Sequence, residues 1–186
     1  MWELHAMWAW ISVFLRDDLT QRAVQDPARV ASLLAFAMIG VGTLGCLAGG
    51  LLSDRWGRAE STMIAMAFSG LSAATIGFID HGPLLVMIGV GLFWGFWVVA
   101  DSARFSAIVT EVAEPRFVGT AVTLQLAMGF TLTVITIWLV PVVRDASSWG
   151  WAFLLLAPGP ALGIAAMWRL RAEETTAPST RARHPR

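Results

Sequence analysis

The length of its uncharged stretches constrains this chain more than any other feature. Six largely apolar runs, 1–15, 30–52, 61–79, 84–110, 117–143 and 148–168, are separated by short segments that hold most of the charge. About 20 apolar residues in a helix cross the hydrocarbon core of a bilayer, where the backbone must satisfy its own hydrogen bonds. The runs therefore predict an all-α membrane protein with six transmembrane helices. With 56% hydrophobic and 14% charged residues among 186, the chain has too little polar surface to wrap a soluble core. The expected organisation is one transmembrane bundle over 1–170. A polar, Pro-containing tail over 171–186 lacks apolar periodicity and is expected to be disordered.

Asp26-Pro27 predicts a helix start before the second run, and Asp80-His81-Gly82-Pro83 a tight turn before the fourth. The first run is short, since fifteen helical residues rise about 22 Å against roughly 30 Å of hydrocarbon. Either Glu3 and His5 lie below the headgroups, or the start is a boundary whose upstream turns are missing. It has no basic stretch and no small-residue cleavage site, so the first helix is expected to be retained. With six passes both termini share a side. That side holds Arg55, Arg58, Arg116, Arg169, Arg171, Arg181, Arg183 and Arg186, against Arg16, Arg22, Arg29 and Arg144 opposite. Such an excess puts both termini in the cytoplasm, across a plasma or inner membrane. Trp149, Trp151 and Trp168, near the ends of the sixth run, suit interfacial aromatic belts.

Several functions are excluded or disfavoured. A formal net charge of zero without a basic block argues against nucleic acid. Cys46 is the single cysteine, so there is no intramolecular disulfide and no two-Cys metal site. His-Glu-x-x-His and Gly-x-x-x-x-Gly-Lys are both absent, and neither a metal nor a cofactor is expected.

The loop between the second and third runs, GGLLSDRWGRAEST, places Asp54, Arg55, Arg58 and Glu60 between apolar stretches. It resembles the signature loop of the major facilitator superfamily, Gly-x-Leu-x-Asp-Arg-x-Gly-Arg-[Arg/Lys], through Gly50, Leu52, Asp54, Arg55, Gly57 and Arg58. Only Ala59 departs from it. Gly57 permits a tight turn between antiparallel helices, Asp54 can face arginines or a helix N-terminus, and Arg58 can reach carboxylates or anionic lipid. The loop reads as a latch for one conformation of a rocking bundle, or at minimum as a topology signal. WELHAMWAW, ADSARFSAIVTE and FVGTAVTLQLAMGF look like the seventh, tenth and eleventh helices of bacterial members. The resemblance implies the C-terminal half of a transporter, built as two inverted three-helix repeats with substrate between the halves at mid-membrane.

Intramembrane ionisable groups are costly and are functional candidates by default. On the fourth span Trp94, Trp97, Asp101, Arg104 and Glu111 share a face, so Asp101 and Arg104 can pair. They form either a structural ion-pair network or a site in which Asp101 couples protons or substrate. On the fifth span Gln125, Gly129, Thr133 and Thr136 form a polar stripe, which lines a cavity or, as the favoured reading, hydrogen-bonds between helices. His5, Trp8 and Ser12 share a face of the first span. Gly45-x-x-x-Gly49 and Gly91-x-x-x-Gly95 allow close helix approach.

The expected function is secondary transport of a small, unidentified solute, coupled to protons, by a half that is completed by a second copy or by an N-terminal half. The alternative is a non-transporting subunit or an inactive fragment. A rhomboid-like protease is disfavoured because Phe68-Ser69-Gly70-Leu71-Ser72 has no intramembrane histidine partner, and no enzyme activity is expected.

Overall fold

The computed structural model describes residues 1–80 and 82–176, without the side chains of 58, 101–108, 111–112 and 170–176. Every regular element among the described residues is a helix: α1 (Leu4–Gln21), α2 (Pro27–Gly40), α3 (Gly42–Trp56), α4 (Arg58–Ile76), α5 (Leu84–Val112), α6 (Val118–Ala146), α7 (Trp149–Leu154) and α8 (Pro158–Thr176). Asp26 begins α2 by accepting the Arg29 backbone N–H at 3.3 Å, with Pro27 in the first turn. Pro27 needs no N–H there, and its fixed φ suits the helix.

Two rods are interrupted. The α2–α3 rod breaks at Val41, between Gly40 and Gly42, where Leu44 N–H bonds Val41 O at 3.0 Å in a tightened turn. The α7–α8 rod breaks over residues 155–157, just before Pro158 and Pro160, which have no N–H to donate. Gly159 N–H therefore bonds Leu156 O at 3.2 Å, three residues back. The carbonyl of Leu155 is left over by this slip and accepts the Trp2 indole N–H at 3.3 Å. Pro141 does the same inside α6, where the carbonyl four residues earlier, Ile137 O, accepts Trp10 Nε1 at 3.0 Å. Two indoles, one on α1 and one just before it, thus satisfy backbone acceptors next to proline breaks, which an apolar medium requires.

The core gathers around α1. Met7, Ile11, Phe14, Leu15 and Leu19 are fully buried with Trp94 of α5 and Phe153 of α7. Phe14 meets Trp149 and Phe153 edge-on at 5.6 and 5.2 Å, and Trp94 meets Phe153 at 5.4 Å. The α2–α3 rod packs on α5, α1 on α2 and α6, and α4 on α5 and α8. The exterior is apolar as well: Phe36 is 76% exposed, Leu85 83% and Trp138 70%. Large exposed apolar side chains over a packed core suit lipid, and water would penalise them.

Among the described residues, three stretches are by length and composition long and apolar enough to cross a membrane, Pro27–Trp56, Val118–Ala146 and Trp149–Arg169, and Leu84–Ala100 is a shorter apolar helix. The rods α1 and α4 fall short of that criterion for local reasons. The helix α1 does not stop at Arg16 but runs through Arg16-Asp17-Asp18 to Gln21, so its last turns are charged. Ser61, Thr62, Ser69 and Ser72 lower the hydropathy of α4. At the C-terminal end α8 continues to Thr176, past the expected boundary at 170, and residues 177–186 lie outside the described residues. Trp149 is buried against Phe14, whereas Trp151 and Trp168 are exposed.

Candidate functional site

Glu3 is only 4% exposed, in the interior where α1, α4 and α5 meet. Its Oε1 accepts Ser69 Oγ at 2.6 Å and the Trp94 indole N–H at 2.5 Å. Burial of a carboxylate is tolerated only with strong donors of this kind. The expectations from sequence weighed Glu3 only for its depth and gave the functional role to Asp101. Its signal was nonetheless present: Glu3 is the single acidic residue of the first apolar run.

A second polar locus lies between α1 and α6. The His5 ring stands 5.7 Å from Trp8 and 5.6 Å from Phe130, and its Nδ1 lies 3.4 Å from Met1 O. Trp8 and Phe130 are 40% and 51% exposed, so this cluster opens to the outside of the chain. The stripe of Gln125, Gly129, Thr133 and Thr136 lies along the same helix. Gly129 receives the Met1 side chain, and Thr133 and Thr136 are buried. Both threonines donate within α6, Thr133 to Gly129 O at 2.9 Å and Thr136 to Thr133 O at 2.9 Å. Thr133 has only a long 3.4 Å approach to Met1 O beyond its own helix, so bonding between helices is not their main use. Gln125 Oε1 is buried with no hydrogen-bond partner among the described residues.

The glycine pairs let the α2–α3 rod and α5 approach closely. A Cβ on Gly45 would overlap the Phe96 carbonyl, and one on Gly95 the Met38 carbonyl. Gly91 is filled by the Met38 side chain, and Gly49 is buried. Backbones at this distance leave no room for a side chain.

In the signature loop Gly57 is the sole residue between α3 and α4, at φ +87, in the region that favours glycine. Asp54 and Arg55 are exposed and make no ion pair among the described residues, and Gly50 faces open space. Asp101, Arg104 and Glu111 lie on α5, and Arg58 opens α4, but their side chains lie outside the described residues. Trp97 packs against Phe68, Phe93 and Phe96.

At the opposite end from this loop, a charge cluster ties helix ends together. Arg22 donates to both oxygens of the buried Asp18, at 2.6 and 3.1 Å, and to Asp80 O and Gly82 O. The bond to Asp18 holds the Arg22 guanidinium above its ordinary range, partly offset by desolvation. A raised basic group stabilises fully below its ordinary value and loses that contribution only above it, so this clasp is insensitive to pH in the working range. Asp17 accepts the Trp149 indole N–H at 3.3 Å and lies 3.6 Å from Arg144, whose guanidinium sits 5.2 Å from the Trp149 ring centroid.

An apolar exterior, helices of membrane-crossing length and a buried carboxylate define an integral membrane protein with polar groups set into its interior. The family model of the Major Facilitator Superfamily matches residues 5–185, and the chain belongs to that superfamily of transporters. The MFS-type transporter criB of Aspergillus cristatus is 31% identical over 117 residues, 61% of this chain and 25% of that protein. The 3-(3-hydroxy-phenyl)propionate transporter of Escherichia coli K12 is 38% identical over 85 residues, 44% of this chain and 20% of that protein. Each alignment thus spans a quarter or less of the relative's length. No solved structure matches significantly.

Proposed function

We propose that this chain is the C-terminal six-helix half of a secondary transporter, moving a small organic solute with proton coupling across a cell membrane, both termini cytoplasmic. The packing pattern is the observation that carries this reading. Exchanging α1 with α5, α2–α3 with α6, and α4 with α7–α8 maps most of the packed pairs onto one another, whereas α4 on α5 has its counterpart, α7 on α1, only through ring contacts such as Phe14 with Phe153. The pair α1 on α2 becomes α5 on α6, α5 on α2–α3 becomes α1 on α6, and α3 on α4 becomes α6 on α7. Paired inverted repeats with the substrate site between halves are one transporter architecture.

The solute path runs along the α1–α6 face. His5 supplies a hydrogen-bonding ring, Trp8 and Phe130 supply apolar walls, and Gln125 supplies a buried amide oxygen. Such a lining suits an aromatic organic acid, the class named for the Escherichia coli relative. Exposed Asp54 and Arg55 at the α3–α4 turn serve as a latch toward a second half, and Asp101 of α5 remains the proposed coupling carboxylate, with Arg104 one turn on.

The test is uptake of labelled 3-(3-hydroxyphenyl)propionate and a wider panel of organic acids into proteoliposomes under an imposed proton gradient. The chain would be assayed alone and joined to an N-terminal six-helix half. Gradient-dependent uptake by the joined form supports the reading, and uptake by the chain alone would mean that two copies complete the path. Its absence from both, with folded protein present, overturns it.

A further inference from the structure

Pro141 stands inside α6 and has no N–H, so the helix lacks its bond to the Ile137 carbonyl, and Trp10 of α1 donates to that oxygen instead at 3.0 Å. The threonines before it add to the effect. Thr136 donates back to Thr133 O at 2.9 Å and to Leu132 O at 3.2 Å, and Thr133 to Gly129 O at 2.9 Å. Back-bonds of this kind draw on carbonyls that the helix ladder already uses, and they bend helices. Residues 133–141 therefore form a bending point, whose released carbonyl is held by a neighbouring helix rather than by α6 itself.

The two sides of that bend are held differently. Beyond it, Arg144 lies 3.6 Å from Asp17 of α1, its guanidinium sits 5.2 Å from the Trp149 ring centroid, and Asp17 accepts the Trp149 indole N–H. Trp149 is buried against Phe14 and Phe153, and only Ser147 and Ser148 separate it from α6. The adjacent Asp18 holds Arg22, which reaches the Asp80 and Gly82 carbonyls before α5. The end of α1 is thus tied both to the α4–α5 turn and to the α6–α7 junction. Before the bend the hold is looser. The buried residues of α6 are Thr133, Thr136 and Val140, so none precedes Thr133. There the side chains shared with α1 are the flexible Met1 over Gly129 and the His5 ring beside Phe130, and a Cβ on Gly119 would meet nothing within 4 Å.

We propose that α6 is a pivoting arm. Its end at 141–146 stays fixed to α1 and α7, while 118–136 swings relative to α1 about the Pro141 bend and opens or closes the α1–α6 face toward the signature loop. This deepens the reading of that face as the solute path and rests on it for its role in transport, though the motion itself is measurable without solute. Trp10 is the positioning residue, since its bond to Ile137 O sits at the pivot, where displacement is least. The partly exposed Asp17–Arg144 pair would by itself be a weak anchor. Its bond and its stacking on the buried Trp149 tie it to the core.

Distances between spin-label pairs test the pivot, in the full chain reconstituted in liposomes on a Cys46→Ser background. Ala9→Cys on α1 would be paired in turn with Leu132→Cys and Leu124→Cys on the arm, and Gln21→Cys with Ala146→Cys at the clasped end, all at exposed positions. At ~1.5 Å per residue Leu124 lies about twice as far from Pro141 as Leu132 does, so a pivot spreads its distances about twice as widely. The clasped pair should give one narrow distribution, which Arg144→Gln broadens. Pro141→Ala supplies an N–H for Ile137 O and should narrow both arm pairs. Equal spread at Leu132 and Leu124 would mean a sliding rod, spread at Leu124 alone a fraying end, and arm pairs as narrow as the clasped pair an immobile helix; each overturns the proposal. So does a clasped pair that Arg144→Gln leaves unchanged, or an arm that Pro141→Ala does not stiffen. Should Pro141→Ala fail to fold, the ratio of the two arm spreads without it still decides. Uptake by the form joined to an N-terminal half separates the two claims. A pivot without uptake keeps the motion and removes the transporter reading, and uptake without a pivot does the reverse.

Discussion

The α2–α3 rod on α5 and α6 on α1 are counterparts under the proposed exchange of repeats, yet they are joined by different means. In the first pair glycine backbones touch: Gly45 lies under the Phe96 carbonyl and Gly95 under the Met38 carbonyl, so neither rod can slide without a clash. In the second, side chains mediate. Trp10 bonds Ile137 O, Met1 fills the space over Gly129, and His5 meets Phe130. One junction is a close seam, while the other leaves a polar face with exposed rings. The same topological pairing can therefore serve as a rigid wall on one side and as a solute path on the other.

Adding a side chain to the seam should have the largest effect. Gly95→Val drives a Cβ onto backbone that cannot move aside, and the cost is about 3 kcal/mol or more, read as loss of monodisperse protein and of thermal stability. Wild-type behaviour of this variant would break the comparison at its first term.

The side-chain-mediated junction can be tested through its proline. Trp10→Phe leaves the Ile137 carbonyl without its indole donor and should cost about 1 kcal/mol. In a Pro141→Ala background residue 141 regains an N–H for that carbonyl, so the same Trp10→Phe change should cost much less. Equal costs in the two backgrounds would mean that the indole is not there for the proline break.

Gly89 is the control for the seam, being on α5 with nothing within 4 Å of where a Cβ would stand. Gly89→Ala should stabilise by about 0.5 kcal/mol through helix propensity, the opposite sign to Gly95→Val on the same helix. The smallest effect on folding belongs to Phe130→Leu, which keeps an exposed apolar side chain. It should leave thermal stability within about 0.5 kcal/mol while raising the KM for an aromatic solute several-fold.

Much of this was readable in the sequence because it depends on local chemistry. The apolar runs located the helices, Asp26-Pro27 marked the start of α2, and the paired glycines marked close approach. What was not readable depends on distant partners. Arg16-Asp17-Asp18 looked like a helix end, but Asp18 is paired with Arg22 and Asp17 with Trp149, so α1 carries its charges onward within the helix. Trp149 looked interfacial until Phe14 enclosed it. Glu3 needed Ser69 and Trp94, separated from it by 66 and 91 residues, before its burial made physical sense. The prolines announced breaks in α6 and between α7 and α8, but no sequence pattern said that the indoles of Trp2 and Trp10 would occupy the released carbonyls.

The most direct test of the central claim, that the α1–α6 face lines an aqueous path, is thiol accessibility. Cys46 is the only native thiol and is exposed, so a Cys46→Ser background would carry a single Phe130→Cys probe. The protein, joined to an N-terminal six-helix half and reconstituted in liposomes, would be treated with a membrane-impermeant maleimide with and without an aromatic acid. The expected result is labelling that the solute protects against. Labelling by lipid-soluble reagents alone, unaffected by solute, would place this face against lipid and contradict the claim.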